Sequence, residues 1–319
     1  MGRYANAFGP HTPDATYVPH SYRERLFDTG EVRLKYAVAG HDTHPPLLLI
    51  PGQSESWWGY QEAMGPLSEH FHVHAVDLRG QGRSTRTPRR YTLDNIGNDL
   101  VRFIDGVIGR PTVVSGLSSG GLVSAWLSAF AKPGQVIAAC WEDPPFFSSE
   151  PAPTVGPGLG DTVGPVFALW STYLGDQWSR GDWDGLVAAA PREIGGWRAL
   201  VAVAGGAGEP PQGMREYDPE WGKAFVSGSF AASCPHQLML SQVKVPVLFT
   251  HHVRMPDEES GGLIGACADE QAGQVVDLVR GCGQDITYLS FPDMGHSMHG
   301  QDPALFAETL IQWSAAVLR

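Results

Sequence analysis

The chain has no apolar run approaching ~20 residues, the length a helix needs to cross a bilayer, and it has no long run of lysine or arginine. The first absence argues against a membrane-spanning helix. The second argues against nucleic acid or an anionic membrane as partner. A balance of 22 basic against 34 acidic side chains, net −12, points the same way. Cysteine is scarce. Cys140, Cys234, Cys267 and Cys282 show no C-x-x-C spacing, so reduced thiols in a cytoplasmic protein are expected. Residues 1–10 lack the apolar stretch of a secretory signal. His70, His72 and His74 alternate, but Asp77 comes too late for the H-x-H-x-D-H pattern of a paired-zinc site. No metal and no cofactor is expected.

What is present suits one large domain with an insertion: 319 residues, of which 42% are hydrophobic. Residues 1–20 read as an irregular tail. Segments 23–27 and 32–38 read as strands about a turn at Asp28-Thr29-Gly30. Short apolar strands follow at 46–50, 71–76, 111–115 and 136–141, with helical stretches between them. One helix is capped by Thr92 and carries Leu93, Ile96, Leu100, Phe103 and Val107 on a single stripe. Strands resume at 245–249 and 286–291, and a closing helix carries Phe306, Leu310, Trp313 and Val317 on one face. The alternation predicts an α/β fold, a mostly parallel sheet flanked by helices. Its core domain is 21–143 plus 241–319, and 144–240, rich in Gly, Pro and Trp, is a mainly helical inserted cap. Arg83, Arg86, Arg89 and Arg90 read as a solvated loop.

Gly116-Leu117-Ser118-Ser119-Gly120 is a G-x-S-x-G run between a strand and a helical pattern, the context of a nucleophile elbow. Ser118, with glycine two positions away on both sides, is the candidate nucleophile. A serine hydroxyl needs a base, and the base needs an orienting acid. His296, after Gly295 and soon after the last strand, is the candidate base, with His299 the spare. For the acid, Asp143 at the tip of strand 136–141 ranks first, then Asp257, then Glu142, which should point to the opposite side of the strand from Asp143. An N-cap is the competing role for Asp143. The backbone N–H groups of Gln53 and Ser119 are the candidate oxyanion donors. An aspartate nucleophile would mean dehalogenase or epoxide hydrolase chemistry, and serine at 118 argues against both. The cap residues Phe146, Phe147, Trp183, Tyr217 and Trp221 are candidate substrate contacts.

Asp77-Leu78-Arg79-Gly80-Gln81-Gly82-Arg83-Ser84 resembles the D-x-R-G-x-G-x-S turn of the α/β-hydrolase fold. With Pro51-Gly52, the Ser118 elbow, Asp143 and Gly295-His296 the resemblance covers nearly the whole chain outside the cap, in the order Ser…Asp…His of that fold. Two departures stand out. Pro51 replaces the usual histidine, and the stretch after Phe249 lacks G-x-x-D, which places the acid at Asp143. A narrower resemblance spans core and cap. Trp57-Trp58-Gly59-Tyr60, Arg89-Arg90-Tyr91-Thr92-Leu93-Asp94-Asn95, Gly97-Asn98-Asp99-Leu100-Val101-Arg102-Phe103, Ser118-Ser119-Gly120-Gly121, Asp143-Pro144-Pro145-Phe146-Phe147 and Glu216-Tyr217-Asp218-Pro219-Glu220-Trp221-Gly222 look like bacterial zearalenone lactonases. The resemblance implies opening of a macrocyclic ester, a small apolar lactone as partner, and no cofactor. A carboxylesterase, a hydrolase of carbon–carbon bonds, or a ligand receptor that keeps the triad are the alternatives, and a homo-oligomer is left open.

Overall fold

The computed structural model describes residues 11–203, 206, 208–258 and 261–318. Half of the expected irregular tail, residues 1–10, lies outside them. The strands are β1 (Arg25–Asp28), β2 (Arg33–Ala39), β3 (Pro46–Ile50), β4 (His72–Val76), β5 (Thr112–Leu117), β6 (Val136–Glu142), β7 (Val247–His251), β8 (Arg254–Pro256), β9 (Leu263–Gly265) and β10 (Ile286–Ser290). Eight of them form one sheet in the order β1-β2-β4-β3-β5-β6-β7-β10. It is parallel from β4 to β10, and β1 and β2 run antiparallel at one edge. β8 and β9 pair apart as a small hairpin.

The helices are α1 (Gln61–Ser68), α2 (Leu93–Phe103), α3 (Ser119–Phe130), α4 (Gly164–Tyr173), α5 (Trp183–Glu193), α6 (Gly196–Ala202), α7 (Gln212–Arg215), α8 (Glu220–Val226), α9 (His236–Leu240), α10 (Asp269–Gly281), α11 (Met298–Gln301) and α12 (Pro303–Val317). Every residue of β3 and β5 is buried, which is why their sequences are apolar or small throughout. Alternation still sorts them by face. Leu48 and Ile50 join the core beneath α2, α3 and the inserted helices, and Leu47 and Leu49 join the core with α1 and α12. Thr92 caps α2 by accepting the Asn95 N–H at 3.2 Å.

Helices α4 to α9 lie between β6 and β7 and dock on the turn that follows β4. Asp218 N–H donates to Gly80 O (2.8 Å), Trp178 Nε1 to Gly82 O (2.8 Å) and Trp221 Nε1 to Arg79 O (2.8 Å). Arg86 pairs with Asp218 and Asp176, and Arg83 with Glu216 and Glu24. The solvated-loop reading of this arginine cluster is therefore corrected. Arg83 and Arg86 are buried because carboxylates brought in by the insertion and by Glu24 satisfy their charge, and only Arg89 and Arg90 face solvent.

Candidate active site

Ser118 stands between the last residue of β5 and the first of α3, with φ 55° and ψ −121°, a left-handed conformation that a side chain rarely adopts. The bend is tight on all sides. A Cβ at Gly116 would lie 2.2 Å from Gly120 O, and one at Gly120 would lie 2.3 Å from Ile50 O. Neighbouring strands hold the turn, since Ser118 N–H donates to Glu142 O at 2.8 Å. The loop after β3 comes within contact: a Cβ on Gly52 would meet Ser118 Cβ at 3.2 Å. Gln53, next in that loop, has no acceptor for its backbone N–H among the described residues. Ser119 N–H opens α3, where the first amides have no intrahelical acceptor. The Gln53 side chain is held apart from this, its Oε1 accepting the Tyr217 hydroxyl at 2.7 Å.

Asp143 follows β6 directly and is fully buried, with φ 41°. Its Oδ2 lies 2.7 Å from His296 Nδ1, and its Oδ1 accepts the His252 N–H at 3.0 Å. Burial pushes the Asp143 carboxyl up, but the imidazoles of His296 and His252 outweigh that and hold it below the ordinary carboxylate range. Partial loss of solvent works against an imidazolium at His296. The hydrogen bond and charge of Asp143, helped by Glu55 and Glu142, prevail and raise it above 6.5. The His296 ring is half exposed, at 48%. With Nδ1–H given to Asp143, the neutral ring keeps Nε2 as an acceptor.

The other two acid candidates sit elsewhere. Glu142 points across the strand as the pleat requires and binds His299, with Oε2 2.8 Å from Nδ1. That pair is fully buried, and the His299 ring stacks on Tyr60 at 3.7 Å. Asp257 belongs to the β8–β9 hairpin, where its N–H closes the turn onto Gly262 O at 2.7 Å. β7 runs two residues further than expected, to His251, so the chain after it enters this hairpin rather than a strand-tip loop.

Ser118 and His296 open onto a cavity of about 440 Å³. The five aromatic residues expected to line it require correction. Phe146, Phe147, Trp183, Tyr217 and Trp221 are at most 1% exposed and absent from the lining. A large ring buries most apolar area when surrounded on every side, and these five fill the core beneath the insertion. Phe146 packs on Trp141 and Phe249, and Trp221 stacks on Tyr91. The apolar wall is instead Phe167 and Trp170 of α4, Trp197 and Val201 of α6, Phe225 of α8, and Ile264 of β9. Nothing in a helical stripe of aromatics says which members keep an open face.

Two positioning contacts carry no sequence signal and were not expected. His252 donates from Nδ1 to the carbonyls of Gly295 and His296 at 3.0 and 3.1 Å, gripping the loop that carries His296. Glu55 accepts the Gly52 N–H at 3.2 Å beside the cavity. Among the described residues no cluster of three His, Cys, Asp or Glu is arranged to hold a metal ion, the four cysteines are unpaired, and no helix is long and apolar enough to cross a membrane.

This fold is shared with known proteins. The chain belongs to the alpha/beta hydrolase family, whose model matches residues 47–309. It is similar to human epoxide hydrolase 4, 31% identical over 126 residues, which are 39% of this chain and 34% of that protein. It is also similar to 3-oxoadipate enol-lactonase 2 of Acinetobacter baylyi, 26% identical over 98 residues, 31% of this chain and 37% of that one. The matched stretch thus spans about a third of the length of these curated relatives. Among solved structures, the enol-lactonase from Burkholderia xenovorans LB400 superposes with a TM-score of 0.64 at 17% identity, covering 91% of this chain and all of that one. At such identity the likeness is one of fold.

Proposed function

We propose that this chain is a cofactor-free serine hydrolase that opens the ester of a macrocyclic lactone, with zearalenone the first substrate to try. The observation that carries the reading is the 2.7 Å contact between His296 Nδ1 and Asp143 Oδ2, with His296 and Ser118 both lining one cavity. His296 Nε2 takes the Ser118 proton and Ser118 Oγ adds to the ester carbonyl. The amides of Gln53 and Ser119 hold the oxyanion. As the tetrahedral adduct collapses, the ring C–O bond breaks and the alkoxide takes the proton from His296. The opened chain stays attached as an acyl-enzyme. Water, deprotonated by His296, then releases the hydroxy acid. The core at 21–143 and 241–319 supplies the chemistry, and the cap at 144–240 covers the substrate. The enol-lactonase among the relatives, the apolar cavity and the likeness of core and cap stretches to zearalenone lactonases support a lactone.

A carboxylesterase or carbon–carbon bond hydrolase acting on small aromatic substrates is the second reading, favoured by the aromatic wall of α4 and α6. A panel of macrolactones and linear esters, read for product by mass, separates the two. Ring-opened zearalenone lost in Ser118→Ala is the expected result. Fast turnover of small esters with no macrolactone opened would replace the first reading by the second.

A further inference from the structure

The site is unbalanced in charge. Among the described residues its cavity lining holds the carboxylate of Glu55 and no lysine or arginine. The Glu55 side chain is 27% exposed. Behind it lies the buried pair Glu142–His299, with His299 Nε2 3.9 Å from Glu55 Oε2. Counting Asp143, three carboxylates face the imidazoles of His296, His299 and His252, so the cluster is net negative whenever His296 is neutral, as a base must be. Arg254 on the nearby hairpin is turned away to Asp269 and Ser290.

The neutral polar groups of the lining add no cationic donor. Ser148 gives its hydroxyl proton to Ala266 O, Ser149 to Pro145 O and Thr162 to the carbonyls of Ser148, Gly158 and Leu159. Their oxygens remain as acceptors. A substrate hydroxyl entering here finds acceptors. A substrate carboxylate finds no cation, loses its water, and stands beside Glu55.

We propose that Glu55 sets the substrate class of this site: neutral, hydroxyl-bearing esters are selected and esters carrying a carboxylate near the scissile bond are rejected. The inference rests on the Ser118 reading above. Two esters with the same leaving group test it on the full chain, 4-nitrophenyl butyrate and mono-4-nitrophenyl succinate. The expected wild-type preference in kcat/KM for the neutral ester is on the order of 100-fold, and Glu55→Gln narrows it by about tenfold. The ratio cancels any change in rate common to both esters. Phenylboronic acid and 3-carboxyphenylboronic acid, compared as inhibitors of the wild type, give the same comparison without a variant, the charged one binding more weakly. Equal wild-type turnover of the two esters, equal inhibition by the two acids, or an unchanged ratio in a folded Glu55→Gln overturns the proposal. Turnover that survives Ser118→Ala overturns the nucleophile and this inference together. Ser118-dependent turnover without charge preference overturns this inference alone.

Discussion

A serine held at φ 55° costs about 1–3 kcal/mol relative to a relaxed backbone. The strain persists because Gly116, Gly120 and the Ile50 carbonyl leave the bend no other path. Ser118→Gly is therefore expected to be about 1 kcal/mol more stable in denaturant unfolding while losing ester turnover, since glycine relieves the strain and removes Oγ. Equal or lower stability would show that the turn is not strained. At His296 the sign of the pH effect follows from the geometry. In the proposed mechanism His296 acts as the neutral ring, and Asp143 raises its pKa above 6.5. Ester kcat/KM is thus expected to fall as pH drops through a value above 6.5. Asp143→Asn should lower turnover by ~10³-fold or more and move that acidic limb downward, which a pH–rate profile of both enzymes reads. An unmoved limb would mean that another group orients the histidine. The roles expected for Ser118, His296 and Asp143 can be argued from residue order because each is tied to a local signal: a glycine pair, a strand end, a following proline. Glu55 and His252 carry no such signal, since their partners are Gly52 and the Gly295–His296 loop, the latter more than forty residues on.

At the scale of elements, the tip of β6 sends two consecutive carboxylates to opposite sides of the sheet, Asp143 to His296 and Glu142 to His299. The period of two along a strand makes that separation legible in the sequence. The β8–β9 hairpin is not legible there. Its strands are three residues each, one of them contains Pro256 and the other ends on Gly265, and runs so short look like a loop. Yet Ile264, Gly265 and Ala266 line the cavity together with residues of α4 and α6. On α6, Trp197 is only partly buried, unlike the rings packed beneath the insertion. Trp197→Ala is expected to raise KM for a bulky lactone about tenfold, the effect of removing about 1.5 kcal/mol of apolar contact. A small acetate ester should change by less than about twofold. Equal effects on both substrates would place Trp197 in the fold rather than in recognition.

Across the whole molecule, the inserted helices are tied to the sheet domain by buried charge as well as by packing. Arg86, 5% exposed, spans Asp218 and Asp176, and Asp218 also accepts the Tyr91 hydroxyl at 2.6 Å. Removing one member of such a pair leaves the other buried and uncompensated. Arg86→Met is expected to cost about 3 kcal/mol, seen as a fall in Tm. A Tm unchanged within a degree would show that the pair does not hold the insertion down. Period and composition by themselves determined the parallel sheet and its flanking helices, because a strand buried on both faces must be apolar wherever it lies. They also determined which serine can sit on the elbow, because the glycine spacing is local. Only the tertiary structure decided which carboxylate meets His296, which aromatic rings keep a face open to the cavity, and that Arg83 and Arg86 are buried. Each of those depends on partners distant in the chain, and contact between distant residues leaves no mark in the order of the residues themselves.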